Sequence, residues 1–219
     1  MASSRTLLIT SGPTREYLDP VRYLSNASSG RMGRALAAEA IRAGFDVTIL
    51  SGPVSMTYPA EAHVVPVVST EEMYNAALEL YPRMTGAIGA AAPCDYRPRN
   101  YSASKLTKDC LTRGKEGGTF SLELEETPDI IAALGKIKRP DQWLIPFALE
   151  TDAPRERALA KLRRKNGDLV LVNRPDAIGA ESSQLEILTP EGEVLALLSG
   201  TKETIASALF RVIAERFAR

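Results

Sequence analysis

Strand-like and helix-like segments alternate from residue 7 to residue 172, and that alternation restricts the fold more tightly than any other feature of the chain. Residues 7–10 read as a short buried strand, 31–43 as an amphipathic helix stopped by Gly44, and 46–50 as a second strand closed by Ser51, Gly52 and Pro53. A strand over 64–68 comes next, and Ser69 and Glu72 then stand at capping-box spacing ahead of another helix. Residues 87–92 are apolar and small, as suits a central strand whose end leaves room for a ligand. Thr127 at a cap and Pro128 in the first turn mark a helix start, and 143–149 and 169–172 complete the series. The pattern predicts an α/β fold: a three-layer, mostly parallel, Rossmann-like sheet with helices on both faces. The end of the chain departs from it. Residues 185–188 and 194–197 flank a turn at 190–193 and predict an antiparallel hairpin. Thr201 then caps a closing helix with Ile205, Leu209, Val212, Ile213 and Phe217 on one face. All of this fits a single domain over 1–219.

Composition removes several functional classes. Lys plus Arg equals Asp plus Glu at 27 each, so no bulk charge draws the chain to nucleic acid or to a membrane surface. Cys94 and Cys110 are too few for a disulfide framework or a zinc site. The one histidine, His63, opens a strand, where a lone His is far more often structural than catalytic because catalysis needs an orienting partner, which argues against Ser–His or Cys–His chemistry. No apolar run is long enough to span a bilayer and the N-terminus is no signal peptide, so the cytoplasm is the expected compartment. Lysine, arginine, asparagine, aspartate and backbone amides remain, an inventory suited to activated phosphates and anionic intermediates.

Two irregular segments hold the chemistry. The run from Arg22 to Gly33 lies between a strand and a helix and is rich in small residues, so it exposes backbone N–H groups and the positive end of a helix dipole. An anion site and a plain helix cap both fit that composition. Residues 97–118 are polar, lysine-rich and without periodicity, and they follow a strand C-terminus, where α/β proteins bind ligands. They are expected to form a flap; a solvated surface loop is the alternative.

Read in order, these residues resemble the phosphopantothenoylcysteine synthetase family. The resemblance rests on Thr10-Ser11-Gly12-Pro13-Thr14-Arg15-Glu16, on Asp19-Pro20-Val21-Arg22-Tyr23-Leu24-Ser25-Asn26, and on Ser28-Ser29-Gly30-Arg31-Met32-Gly33. Ala91-Ala92, Asp95-Tyr96-Arg97-Pro98, Lys105-Leu106-Thr107-Lys108, Thr127-Pro128-Asp129-Ile130-Ile131, Phe147-Ala148-Leu149-Glu150-Thr151 and Lys161-Leu162-Arg163-Arg164-Lys165-Asn166 follow with compatible gaps. In many bacteria this activity is the C-terminal half of a bifunctional coenzyme A biosynthesis protein, and the chain looks like the synthetase alone, with a separate decarboxylase acting next. The sequence departs from the family at Thr107, where a lysine is usual, and at Cys94, Pro146 and Gln184.

The resemblance implies joining of 4′-phosphopantothenate to cysteine through an acyl-nucleotide, with CTP or ATP as co-substrate, CTP favoured, and Mg²⁺ carried mainly by the nucleotide. It also implies a homodimer. Asn26 would donate to the acyl carbonyl and Lys105 would neutralise the triphosphate, the two catalytic roles. Arg22, Ser28, Ser29, Gly30 and Ala91 would bind substrate; Gly12, Asp95, Lys108, Pro128, Asp129, Ile130, Ile131, Phe147, Lys161 and Lys165 would bind nucleotide. No residue is expected to hold a metal directly. Bland roles compete for several of these. Asn26 could cap the next helix, Arg22 could form a surface ion pair, and Asp129 could be a first-turn acid. Two other classes fit parts of the pattern. A dinucleotide oxidoreductase needs a short Gly-x-Gly-x-x-Gly turn, which this chain lacks, and is tested by NAD(P)H titration. A binding module without chemistry would have no use for Asn26 and Lys105.

Overall fold

The computed structural model describes residues 5–108, 111, 118–149, 153–173 and 182–217. Its elements are β1 (Arg5–Ser11), β2 (Arg15–Tyr17), β3 (Tyr23–Ser25), α1 (Arg31–Arg42), β4 (Phe45–Ser51), β5 (His63–Pro66), α2 (Thr70–Leu80), β6 (Gly86–Gly89), β7 (Tyr96–Pro98), β8 (Leu124–Glu126), α3 (Ile130–Ile137), β9 (Trp143–Leu149), α4 (Pro154–Arg164), β10 (Val170–Asn173), β11 (Ser182–Leu188), β12 (Val194–Thr201) and α5 (Lys202–Phe217). Eight strands form one sheet in the order β12-β11-β10-β9-β6-β1-β4-β5. From β10 to β5 every pairing is parallel, and β11 and β12 add the antiparallel hairpin. The predicted α/β class therefore holds.

Alternation along each strand sends side chains to two cores. Leu7 and Ile9 face α1 and α5, packing with Leu36, Ala40, Trp143, Ile205 and Leu209. Leu8 faces the other way, against Met73 and Ala77 of α2 and Leu134 of α3. α4 covers β9, β10 and β11 on that second face through Ala158 and Leu162. The chain starts at the middle of the sheet, runs to the β5 edge, returns to β6, and then runs to the other edge. Order therefore reverses between β1 and β6, and loops leaving their C-terminal ends diverge around a crevice.

Three local expectations need correction. The connection from β1 to α1 contains a hairpin, β2 with β3, where composition alone predicts an irregular loop. Part of the expected flap is regular too: Arg97 and Pro98 belong to β7, which pairs with β8, and the Arg97 guanidinium bonds Glu125 and Glu71 at 2.8 and 2.7 Å. Residues 109, 110 and 112–117 of that flap, with Cys110, lie outside the described residues. Thr127 is not the cap of α3. Asp129 is, accepting from the Ala132 N–H at 3.0 Å, while the Thr127 hydroxyl donates to the Cys94 carbonyl.

Gly33 decides how closely α1 approaches β1. A Cβ there would stand 2.0 Å from Ser11 Oγ and 2.5 Å from Ser11 Cβ. Helix propensity alone would favour Gly33→Ala by roughly 0.8–1 kcal/mol. We expect the opposite sign, a net loss of about 1–3 kcal/mol from overpacking, measured by urea unfolding.

Candidate active site

The crevice holds a cavity of about 440 Å³, within the range of small-molecule sites. Its first wall is the loop and first turn of α1, residues 26–33. Gly30 is the N-cap, in the left-handed region at φ 73°, and no side chain caps the helix. The leading N–H groups of α1 therefore lie at the cavity wall, available to an anion. Arg31 and Lys202 add two cations, and Asn173 closes the far side. Burial and the neighbouring Arg31 guanidinium push the Lys202 ammonium below its ordinary value, outweighing Glu203. An arriving anion would oppose both effects by favouring the charged ammonium.

Asn26 reaches across this crevice. Its Nδ2 donates to the Pro93 carbonyl at 2.8 Å and, at 3.4 Å, to that of Ala92. It precedes the N-cap by four residues, so the helix-cap role weighed for it is excluded. Ser28, Ser29 and Gly30 line the same wall, and Ala91 lies opposite.

A second cavity, about 210 Å³, lies on the α2–α3 side of the sheet. Ala91, Asp95 and Phe147 line both cavities, so the two are neighbours sharing one wall. The second is completed by residues 127–131 at the start of α3 and by Lys165. Gly135 brings Lys165 here: a Cβ on Gly135 would stand 1.8 Å from the Lys165 carbonyl oxygen, so only glycine admits that loop. The Lys165 ammonium lies 2.9 Å from Asp129, making Asp129 both cap and ion-pair partner instead of merely a first-turn acid.

Burial raises the Asp129 carboxyl, but the Ala132 N–H and Lys165 outweigh it and hold it below its ordinary value of 3.8. A carboxyl depressed on folding adds stability that is complete above its unfolded pKa and is lost as pH falls through the folded one. The pair is partly exposed, so Lys165→Met is expected to cost only about 0.5–1 kcal/mol at pH 7. That difference should close as the pH falls below 3.8, as followed by urea unfolding at each pH.

Not every expected residue meets at these cavities. Gly12, Arg22, Lys105, Lys108 and Lys161 line neither of them. Gly12, at φ 76°, serves backbone packing: a Cβ there would meet Val54 at 2.8 Å. Arg22 pairs with Asp19 at 2.8 Å, and Lys105 is exposed. Lys161 is exposed on α4, whereas Lys165 stands just past the end of that helix as its C-cap. Sequence reasoning missed Arg31, Asn173 and Lys202 as cavity residues. Arg31 sits inside the motif over 28–33, and Asn173 follows the motif over 161–166 by seven residues, but nothing local marks Lys202. A larger hollow of about 650 Å³ lies elsewhere, between the start of α4 and the β11–β12 hairpin.

Known proteins share both sequence and fold. The chain is 35% identical over 216 residues to the coenzyme A biosynthesis bifunctional protein CoaBC of Vibrio cholerae serotype O1, covering 97% of this chain and 53% of that protein. It is 35% identical over 215 residues to CoaBC of Escherichia coli K12, covering 96% and 52%. The chain thus spans about half the length of the curated relatives it matches. The crystal structure of the C-terminal domain of CoaBC superposes with a TM-score of 0.80 at 34% identity, over 98% of this chain and 96% of that one. A Cab2 variant in complex with phosphopantothenate-cysteine, 17% identical, shares the fold with a TM-score of 0.80. Residues 2–217 match the model of the DNA/pantothenate metabolism flavoprotein C-terminal domain, and the chain belongs to that family.

Proposed function

We propose that the chain is a phosphopantothenate–cysteine ligase of coenzyme A biosynthesis, with residues 1–219 acting as one synthetase domain. The observation that carries this reading is the pair of adjoining cavities, one rich in anion donors and the other built at a helix start beside a lysine, with Ala91, Asp95 and Phe147 between them. The phosphate end of the substrate takes the α1 N-terminus with Ser28, Ser29, Arg31 and Lys202. The nucleotide takes the second cavity, with Phe147 beside the base and Asp129 and Lys165 on the sugar and phosphates; Lys165 exchanges Asp129 for phosphate as it binds.

The substrate carboxylate then attacks the α-phosphorus, and the bond to the bridging oxygen breaks to release pyrophosphate. Lys105, with Lys108, neutralises that leaving charge. Next the cysteine amine attacks the acyl carbonyl, and the nucleoside monophosphate departs. Charge grows on the carbonyl oxygen in this step, and the Asn26 amide is the donor that meets it. Positioning and fixed positive potential supply most of the acceleration. Mg²⁺ enters with the nucleotide, carried mainly on its phosphate oxygens, as its hydration preference favours.

CTP is the favoured triphosphate on the resemblance of the motifs to the bacterial enzymes. A second copy of the chain is the expected partner: β12 ends the sheet with Leu197 71% exposed. No helix among the described residues is long and apolar enough to cross a membrane. Pyrophosphate release is measured with each of the four triphosphates, with and without phosphopantothenate. Release that depends on phosphopantothenate and is fastest with CTP is expected. No release with any triphosphate overturns the reading, and sedimentation at one chain mass overturns the dimer.

A further inference from the structure

Asp19 sits in the turn between β2 and β3, and its side chain has no solvent exposure. A carboxylate buried this completely is costly unless every lone pair is used. Its two oxygens divide the work. Oδ1 accepts from the N–H groups of Val21 and Arg22, both at 2.8 Å, which is all that an Asx turn requires. Oδ2 accepts from Arg22 Nη1 at 2.8 Å and from the N–H of Leu106 at 3.1 Å. The same Arg22 nitrogen donates to the Leu106 carbonyl at 2.7 Å. Both backbone polar groups of Leu106 thus end on the Asp19–Arg22 pair, more than eighty residues away in sequence. The Ser102 N–H, bonded to the Leu18 carbonyl at 2.8 Å, adds a second tie between the same two segments. An asparagine would hold the turn alone; the second anionic oxygen is explained by the contact with Leu106.

We infer that Asp19 is a positioning residue for the reaction, acting with Arg22 to clamp the Leu106 peptide and so to fix Lys105 toward the triphosphate. Arg22 then serves as the clamp's second jaw, not as a direct ligand of the substrate. The inference rests on the ligase reading, because that reading gives Lys105 its task.

Asp19→Asn separates the two functions. Its amide oxygen can keep both turn bonds, but its NH₂ would face two donors, Leu106 N–H and Arg22 Nη1. Hydrogen exchange at the Leu106 amide should quicken about 10- to 100-fold, the range of a charge-assisted hydrogen bond, and by more than amides of the β1 core, which report global stability. The kcat for pyrophosphate release should fall by a similar factor, with the KM for phosphopantothenate nearly unchanged. In a Lys105→Gln background the same substitution should cost less than about threefold, because its effect travels through Lys105. Arg22→Met leaves the turn bonds on Oδ1 and removes the grip on the Leu106 carbonyl. It should cost stability by unpairing a buried carboxylate. Its folded fraction should show the same fall in kcat at nearly unchanged KM, which serves if Asp19→Asn folds poorly. Unchanged exchange at Leu106 overturns the clamp, and additive losses in the double variant overturn its link to Lys105. A wild type that releases no pyrophosphate overturns the ligase reading and the role of Lys105 with it, whereas the exchange result bears on the clamp alone.

Discussion

Asn26→Asp is expected to release pyrophosphate from the triphosphate yet form product about 10²–10³ times more slowly, because a donor to the developing oxyanion is exchanged for an anion. The local geometry separates this effect from stability. Asn26 is exposed and lies four residues ahead of Gly30, the N-cap of α1, so the substitution removes no helix cap. Its Nδ2 stands 2.8 Å from the Pro93 carbonyl oxygen, and a carboxylate at that place would face an acceptor. The side chain should therefore swing off the crevice wall as well as lose its donor, which moves the effect toward the upper end of the range. Mass spectrometry of a quenched single turnover should find acyl-nucleotide accumulated on the enzyme. Product formation at the wild-type rate would leave Asn26 with no part in the second step.

Lys105→Gln acts on the first step. The loss of one fixed positive charge from a transition state that expels pyrophosphate is worth on the order of 10²-fold in acyl-nucleotide formation. Lys105 is exposed and buries little, so the melting temperature should stay within a degree or two of wild type, as surface substitutions usually do. Rapid-quench measurement of pyrophosphate separates this step from the later transfer to cysteine. Lys108 stays in place, whereas Thr107 stands where a further lysine is usual. Residual activity should therefore fall steeply when Lys105 and Lys108 are replaced together. A variant with unaltered pyrophosphate release would remove Lys105 from the mechanism.

What could be read in advance follows from how local each signal is. The buried parallel strands announce themselves as apolar runs, and the capping box at Ser69 and Glu72 is met by a 3.1 Å bond from the Glu72 N–H to Ser69 Oγ. The three-residue ribbons β2–β3 and β7–β8 are too short for periodicity to register. Their pairing depends on distant partners, Leu106 for the turn before β3 and Glu71 for Arg97 in β7. Thr127 and Asp129 are equally good caps on paper, and only the Cys94 carbonyl, which takes the Thr127 hydroxyl, decides between them. Lys202 shows the limit most plainly. It opens the last helix, far in sequence from Arg31, and only the packing of α5 against α1 brings the two cations together at one crevice.

The position of the one tryptophan has a practical corollary for every assay above. Trp143 opens β9 and stacks on Phe217 at 5.5 Å, with Phe45 edge-on at 6.4 Å. Phe147, four residues along the same strand and so about 13 Å away, is the part of β9 that first touches the crevice. Emission of Trp143, excited clear of the seven tyrosines, therefore reports first on the seating of the last helix on the sheet, since no crevice residue touches its ring stack. Unfolding curves recorded through this emission in the presence of substrates then show binding only as a shifted midpoint, because a ligand of the native state stabilises it by mass action. Occupancy has to be read by another signal, such as a fluorescent nucleotide or heat.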